Sequence, residues 1–336
     1  MTGRRLRIVA RVHGYPPDHN AGAEWMLHTM LRELASRGHD VSVHLFRYTA
    51  AMPGRYDVDG VAVYPIQSSY FPEAGRQADV LVSHLEGAPA LAAYGRSWQV
   101  PTVAVVHNTH APSFESAAAC DLAVYNARWT RAEAEDYYGR TRLTAPAELV
   151  VRPPVVAADY ATTPGDRVTL VNLYADKGGP LFWELVSRMP DVAFLGVRGA
   201  YGDQEIPAVV PPNAEVLPQT PGALMRERVY ARSRIVLMPS SYESWGRVGV
   251  EAMASGIPVI AHPTPGLAES LGPAGVFADR DDPASWEAEI RRLLDPKAWK
   301  AASKKALARS AELDPADDLT AWCEAVEALA EQGVTR

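Results

Sequence analysis

Two glutamates, Glu243 and Glu251, stand with seven residues between them in the stretch SSYESWGRVGVEAMASGIPVIAH, and Trp245, Gly246 and Arg247 lie in the gap. On one continuous helix such a pair would be an ordinary solvated face. The punctuation of the sequence argues otherwise: RIVLMPS (234–240) reads as a buried strand, SYESWG as a loop, and RVGVEAMAS as a helix closed by Gly256, with Pro258 opening the next strand. Glu243 then falls in the loop and Glu251 in the helix. A helix starting near Gly246 to Val248 presents unpaired N–H groups and its positive dipole end, which suit an anion. A carboxylate cannot ligate phosphate, so each glutamate must contact hydroxyls. A ligand with an anionic middle and a hydroxylated group on either side is a nucleoside diphosphate sugar, and that ligand accounts for the spacing.

A lone cation points the same way. The chain has 28 arginines and five lysines, four of which lie between Lys297 and Lys305 in a helical stretch. The fifth, Lys177, stands before two glycines in NLYADKGGP. A compact, strongly hydrated point charge differs from a guanidinium fork, and an isolated lysine in an arginine-rich chain suggests a site that wants one. The competing reading is a surface lysine in a turn.

The stretch PSSYESWGRVGVEAMASGIPVIA resembles the retaining glycosyltransferases of family 4, of the glycosyltransferase group 1 type. That resemblance implies an α/β, GT-B fold: two facing Rossmann-like domains with an interdomain cleft. It implies that Glu243 holds the donor sugar hydroxyls and Glu251 the ribose, with the backbone of Ser244, Trp245, Gly246, Arg247 and Val248 near the phosphates. It also implies that Lys177 and Gly178 bind the diphosphate. In NAGAEWMLHTMLRELASRGHDVSV, Gly22 matches a loop glycine that lets the backbone approach the donor phosphates and acceptor. His107, ending the strand AVVH, matches a histidine near the reacting sugar; His13, His19 and His110 lie on neighbouring loops and are candidates to shape the acceptor side. The implied reaction moves a sugar from the diphosphate (UDP or GDP sugar expected) to an acceptor hydroxyl, with retention and with no metal or other cofactor. Two departures stand out. Asn172 and Leu173 replace the family's Gly-Arg, so one diphosphate cation is missing, and Arg247 occupies a usually apolar position, either restoring that charge or pointing to solvent. Ser244 replaces the usual glycine after the first glutamate.

The elements that must position these residues follow from patterning. Short Val/Ile/Leu-rich runs alternate with amphipathic stretches, as parallel sheets covered by helices require. Strands are expected at 6–10, 40–46, 78–84, 101–107, 121–126 and 147–153, with helices at 24–36 and 128–138. A loose Pro-containing stretch at 151–166 reads as a linker. Strands follow at 167–172, 192–197, 214–219, 234–240, 258–262 and 274–279, with helices at 180–187, 224–232, 283–294, 297–311 and 317–332. The 336 residues suit two domains: an acceptor-side domain at 1–155, a donor domain at 156–312, and a C-terminal helix at 313–336 packing back across them.

Net charge is −7, which argues against nucleic acid or an anionic membrane as the main partner. The first 155 residues hold 15 basic and 15 acidic side chains; the acidic excess lies beyond them. No run approaches the roughly 20 apolar residues of a membrane span, although peripheral membrane contact stays open. Two cysteines without metal-ligand spacing fit a reduced, cytoplasmic protein. No Gly-x-Gly-x-x-Gly follows either first strand, which argues against a dehydrogenase. Two alternatives remain: a nucleotide-sugar epimerase or other GT-B enzyme, and a catalytically silent sugar-nucleotide-binding scaffold, supported only by the missing arginine.

Overall fold

The computed structural model describes residues 4–19, 21–47, 51, 54–200 and 202–334. The chain divides into two compact units: Met1–Pro154 together with Pro315–Arg336, and Val155–Asp314.

In the first unit, β1 (Arg7–Val12), β2 (Asp40–Leu45), β3 (Tyr56–Val58), β4 (Val61–Tyr64), β5 (Val80–His84), β6 (Thr102–Val106), β7 (Leu122–Tyr125) and β8 (Ala147–Val150) form one sheet in the order β3-β4-β2-β1-β5-β6-β7-β8. Its ladders are parallel except the β3–β4 pair. Buried on both faces, the central strands are nearly continuous Val and Ile runs, as such sheets demand. The helix Gly22–Ser36 buries Met26, Met30 and Leu34 in a core with Ile8, Val43 and Val82. The C-terminal helix Ala316–Val334 belongs to this core. Its Trp322 is fully buried, the indole donates to the Met30 carbonyl at 2.9 Å, and Arg152 Nε donates to Asp318 Oδ2 at 2.6 Å.

In the second unit, β9 (Arg167–Val171), β10 (Phe194–Val197), β11 (Ala214–Leu217), β12 (Ser233–Met238), β13 (Val259–Ala261) and β14 (Val276–Phe277) form a parallel sheet in the order β11-β10-β9-β12-β13-β14. Among the parallel strands the order switches direction between β1 and β5 in the first sheet and between β9 and β12 in the second. Open parallel sheets bind ligands beyond the carboxyl ends of the strands at such a switch. The loops after β9 and β12 carry Lys177 and Glu243, and those after β1 and β5 carry His13 and Glu86.

Several expectations need correction. The hairpin β3–β4 is not among the expected strands, although its Asp59–Gly60 turn has φ of 51° and 84°, the double left-handed geometry that Asp-Gly turns supply. Helices Phe71–Arg76, Ala88–Trp98 and Ala111–Ala118 are likewise additions to the expected set. The helix expected at 224–232 breaks after Arg228: the Val229 carbonyl takes Arg232 N at 3.0 Å, tightening the turn, and Ser233 Oγ at 2.8 Å. The stretch 151–166 is not loose throughout. It holds a short helix, Ala157–Tyr160, tied down where Thr162 N donates to Ser255 Oγ at 3.0 Å and Ser255 Oγ donates to the Tyr160 carbonyl at 2.8 Å.

Candidate active site

In the second unit, a tight turn at Ala175–Lys177 follows β9, and Gly178, at φ 94°, leads into the helix Gly179–Arg188. A Cβ on Gly178 would meet Pro239 Cγ at 2.1 Å, so this turn and the loop after β12 touch only because residue 178 has no side chain. Ser241 N donates to the Asp176 carbonyl at 2.9 Å, joining the same two loops. Across this junction Lys177 Nζ meets Glu243 Oε1 at 2.6 Å, and Ser240 Oγ donates to that oxygen at 2.9 Å. The two residues singled out separately by sequence therefore form one ion pair, with side chains about one fifth exposed (19% and 17%). A Cβ on Gly266 would meet the Glu243 carbonyl at 2.2 Å, so the helix Pro265–Leu271 fixes this loop from the other side.

Gly246, at φ 83°, precedes the helix Arg247–Ala254, whose N-terminus has no side-chain cap. The left-handed conformation and the space both require glycine, since a Cβ would meet Leu267 Cδ2 at 2.4 Å. The uncapped first turn, opening with Arg247 and Val248, leaves backbone N–H groups oriented for an anion. Ser244 stands where the loop meets Gly266. Trp245 is buried, and its indole nitrogen has no hydrogen-bond partner among the described residues.

Glu251 lies one turn inside and is buried. Arg247 Nε donates to its Oε1 at 2.6 Å and Tyr230 OH to its Oε2 at 2.6 Å; Arg247 Nη2 also donates to Tyr160 OH at 2.9 Å. Burial opposes the arginine's charge, but Tyr160 and Glu251 more than offset it and raise its pKa. Burial, then the Glu251 charge, pushes the Tyr160 hydroxyl up to about 12. Arg247 was expected either at the diphosphate or in solvent; its guanidinium is instead engaged with Glu251 and Tyr160.

The two departures after β9 have a structural reason. Asn172 adopts φ 72°, a conformation that asparagine tolerates better than other non-glycine residues, and its Oδ1 accepts from Gln204 Nε2 at 3.1 Å. Leu173 is fully buried in the core with Leu170, Phe182 and Phe194, so an arginine there would be driven into apolar packing. Sequence reasoning missed Arg280 after β14. Its Nη1 and Nη2 donate to the carbonyls of Asp176 and Ala175, each at 3.4 Å, which places a second cation beside the Lys177 turn. Only its position three residues beyond a strand end, in a row of strand-end loops, could have signalled it.

In the first unit, His107 ends β6 and its Nε2 shares a hydrogen bond with His84 Nδ1 at 3.0 Å. Burial drives the His107 pKa down to about 4 and that of His84 well below its ordinary value. Both rings are neutral at neutral pH. Gly22 opens its helix with nothing within 4 Å of a notional Cβ, so the protein's own packing sets no demand for glycine there. His13 and His19 come together at the β1 loop, their ring centroids 5.2 Å apart. His110 is exposed at the N-terminus of the helix Ala111–Ala118.

Comparison with known proteins defines the class first. A sucrose-phosphate synthase from Thermosynechococcus elongatus superposes with a TM-score of 0.74 at 15% identity, covering 98% of this chain and 99% of that one. Anabaena HepE in complex with UDP-glucose superposes at 0.76 and 16% identity, covering 96% and 100%. The fold is therefore the GT-B type, with two parallel-sheet α/β domains. Residues 192–296 match the family model Glycosyl transferases group 1, and this segment, which holds Glu243 and Glu251, is a domain of that group. The D-inositol 3-phosphate glycosyltransferase of Corynebacterium kroppenstedtii is 44% identical over 69 residues, 20% of this chain and 15% of that protein. The O-antigen chain mannosyltransferase B of Escherichia coli is 28% identical over 120 residues, 36% of this chain and 26% of that protein. The chain thus matches about a quarter or less of these relatives' length. Among the described residues, no helix is long and apolar enough to cross a membrane.

Proposed function

We propose that this protein is a retaining glycosyltransferase that moves a sugar from a nucleoside diphosphate sugar to an acceptor hydroxyl. The observation that carries the reading is the Lys177–Glu243 pair at 2.6 Å, held where two glycine-dependent loops meet beside an uncapped helix. Lys177, the N–H groups at Gly246 to Val248 and the nearby Arg280 supply positive potential for a leaving diphosphate, and preorganised charge of this kind commonly contributes more to rate than any other single effect. Glu243 and Glu251 offer hydroxyl-binding carboxylates on either side of that potential. Arg247 acts as a positioning residue that fixes the Glu251 carboxylate toward the ribose. The acceptor oxygen attaches to the anomeric carbon on the face from which the phosphate oxygen leaves, and its proton passes to that departing oxygen. No enzyme nucleophile or metal enters this step.

A relative of the same fold, HepE, is described in complex with UDP-glucose, which supports a uridine nucleotide sugar as the first donor to try. The reading also puts the protein in the cytoplasm, where such donors are made. Purified protein incubated with a panel of UDP and GDP sugars, followed by release of nucleoside diphosphate, tests it. Slow donor hydrolysis that disappears in Lys177→Met supports the transferase. Tight donor binding without any turnover, with or without candidate acceptors, identifies the silent scaffold instead.

A further inference from the structure

The switch point of the first unit holds a cluster that donor chemistry does not use. His13 and His19 lie on the loop after β1, and Glu24 lies in the first turn of the helix that follows. One donor atom from each lies within 4.8 Å of the others. His13 Nε2 is 3.0 Å from Glu24 Oε1; two donors each about 2.1 Å from a tetrahedral zinc lie roughly 3.4 Å apart. This pair, hydrogen bonded to each other, has only to open slightly to take an ion between them, and His19, on the partly exposed loop, must close in. The opposite nitrogen of His13, Nδ1, faces Glu86 Oε2 at 3.4 Å, and Arg47 Nη1 donates to Glu86 Oε1 at 2.8 Å. Glu86 is thus a carboxylate within reach of His13 Nδ1, at the place where zinc sites usually carry an outer-shell acceptor. Glu24 is itself buried, and its Oε2 has no hydrogen-bond partner among the described residues. Gly14 makes room: a Cβ there would meet the His19 ring at 2.7 Å.

We propose that His13, His19 and Glu24 form a binding site for a divalent transition cation of the zinc class, with a coordination position open to solvent or ligand. The donor set, two imidazoles and a carboxylate without thiolate, suits zinc and its first-row neighbours better than magnesium or calcium. The site stands apart from the transfer reaction proposed above, and either can fail without the other.

Cobalt(II), titrated into chelator-treated full-length protein and followed by its visible absorption, tests the site, with zinc(II) as competitor. One equivalent should bind, give a low-symmetry visible spectrum and be displaced by one equivalent of zinc. His19→Ala, on a partly exposed loop, and Glu24→Gln should each weaken binding by no less than the roughly 10–100-fold that loss of ligand support costs. Gly14→Ala, which keeps all three donors but crowds His19, should also weaken it. Circular dichroism melts verify that each variant is folded. Absence of stoichiometric binding overturns the proposal, and so does wild-type affinity in folded His19→Ala.

Discussion

Removing the Arg247 side chain gives the most direct test of the arrangement around Glu251. In Arg247→Leu the carboxylate keeps the Tyr230 hydroxyl on Oε2 but loses the guanidinium 2.6 Å from Oε1. The two side chains are 11% and 8% exposed, so little solvent screens the loss. Breaking a buried pair by deleting one partner costs about 3–5 kcal/mol; the low end, about 3 kcal/mol, suits a carboxylate that keeps the Tyr230 hydroxyl. For a domain of this size each kcal/mol moves the midpoint by roughly 2–4 °C, so the second unit should melt roughly 6–12 °C lower. Glu251→Gln in the same background removes the stranded charge and should recover a large part of that drop. The assay is calorimetric unfolding of wild type, both single variants and the double variant as a thermodynamic cycle, with donor affinity measured in parallel. Arg247→Leu melting within a degree of wild type, or an additive double variant, refutes the buried-pair account. An arginine bound only to diphosphate would instead lower donor affinity and leave the unliganded melt unchanged.

Other outcomes follow from the same geometry. Glu251→Gln should weaken nucleotide-sugar binding by about 1.5–3 kcal/mol, the worth of a hydrogen bond to a charged group, as measured by calorimetry with the donor. Lys177→Met should cut turnover by at least an order of magnitude while Lys304→Met leaves it unchanged, read as nucleoside diphosphate release. Asn172→Gly should preserve stability and Asn172→Val should lower it, because a β-branched residue is strained at φ 72°; denaturant midpoints decide. The buried His107, held near pKa 4 against an ordinary 6.5, is neutral when folded and takes a proton when unfolded. Stability should therefore fall as pH drops from about 6.5 toward 4, and His107→Gln should flatten that part of the profile.

What the sequence disclosed depended on whether the relevant partners are near in the chain. Glu243 in a loop and Glu251 in a helix follow from local punctuation, because Gly246 and Gly256 mark the helix ends and Pro258 the next strand. The Asp59–Gly60 hairpin and the Arg247–Glu251 pair, four residues apart on a helix, were equally local and could have been read. Lys177 stood out by composition, but its pairing with Glu243 required β9 and β12 to be neighbours, a fact of sheet order that no window of sequence contains. The same limit hid the Tyr160 hydroxyl, 87 residues before the Arg247 it meets, and the return of Trp322 to Met30. It also explains why Leu173 looked like a missing cation. Matching residue types to a motif compares letters at a position, whereas the structure shows that this position faces the core, and that Arg280, at the far end of the sheet's strand sequence, donates to the carbonyls of the Lys177 turn. In the proposed function, the charge that meets the diphosphate is then a property of the space that several loops enclose, and Arg280 on one loop can supply what the motif assigns to another.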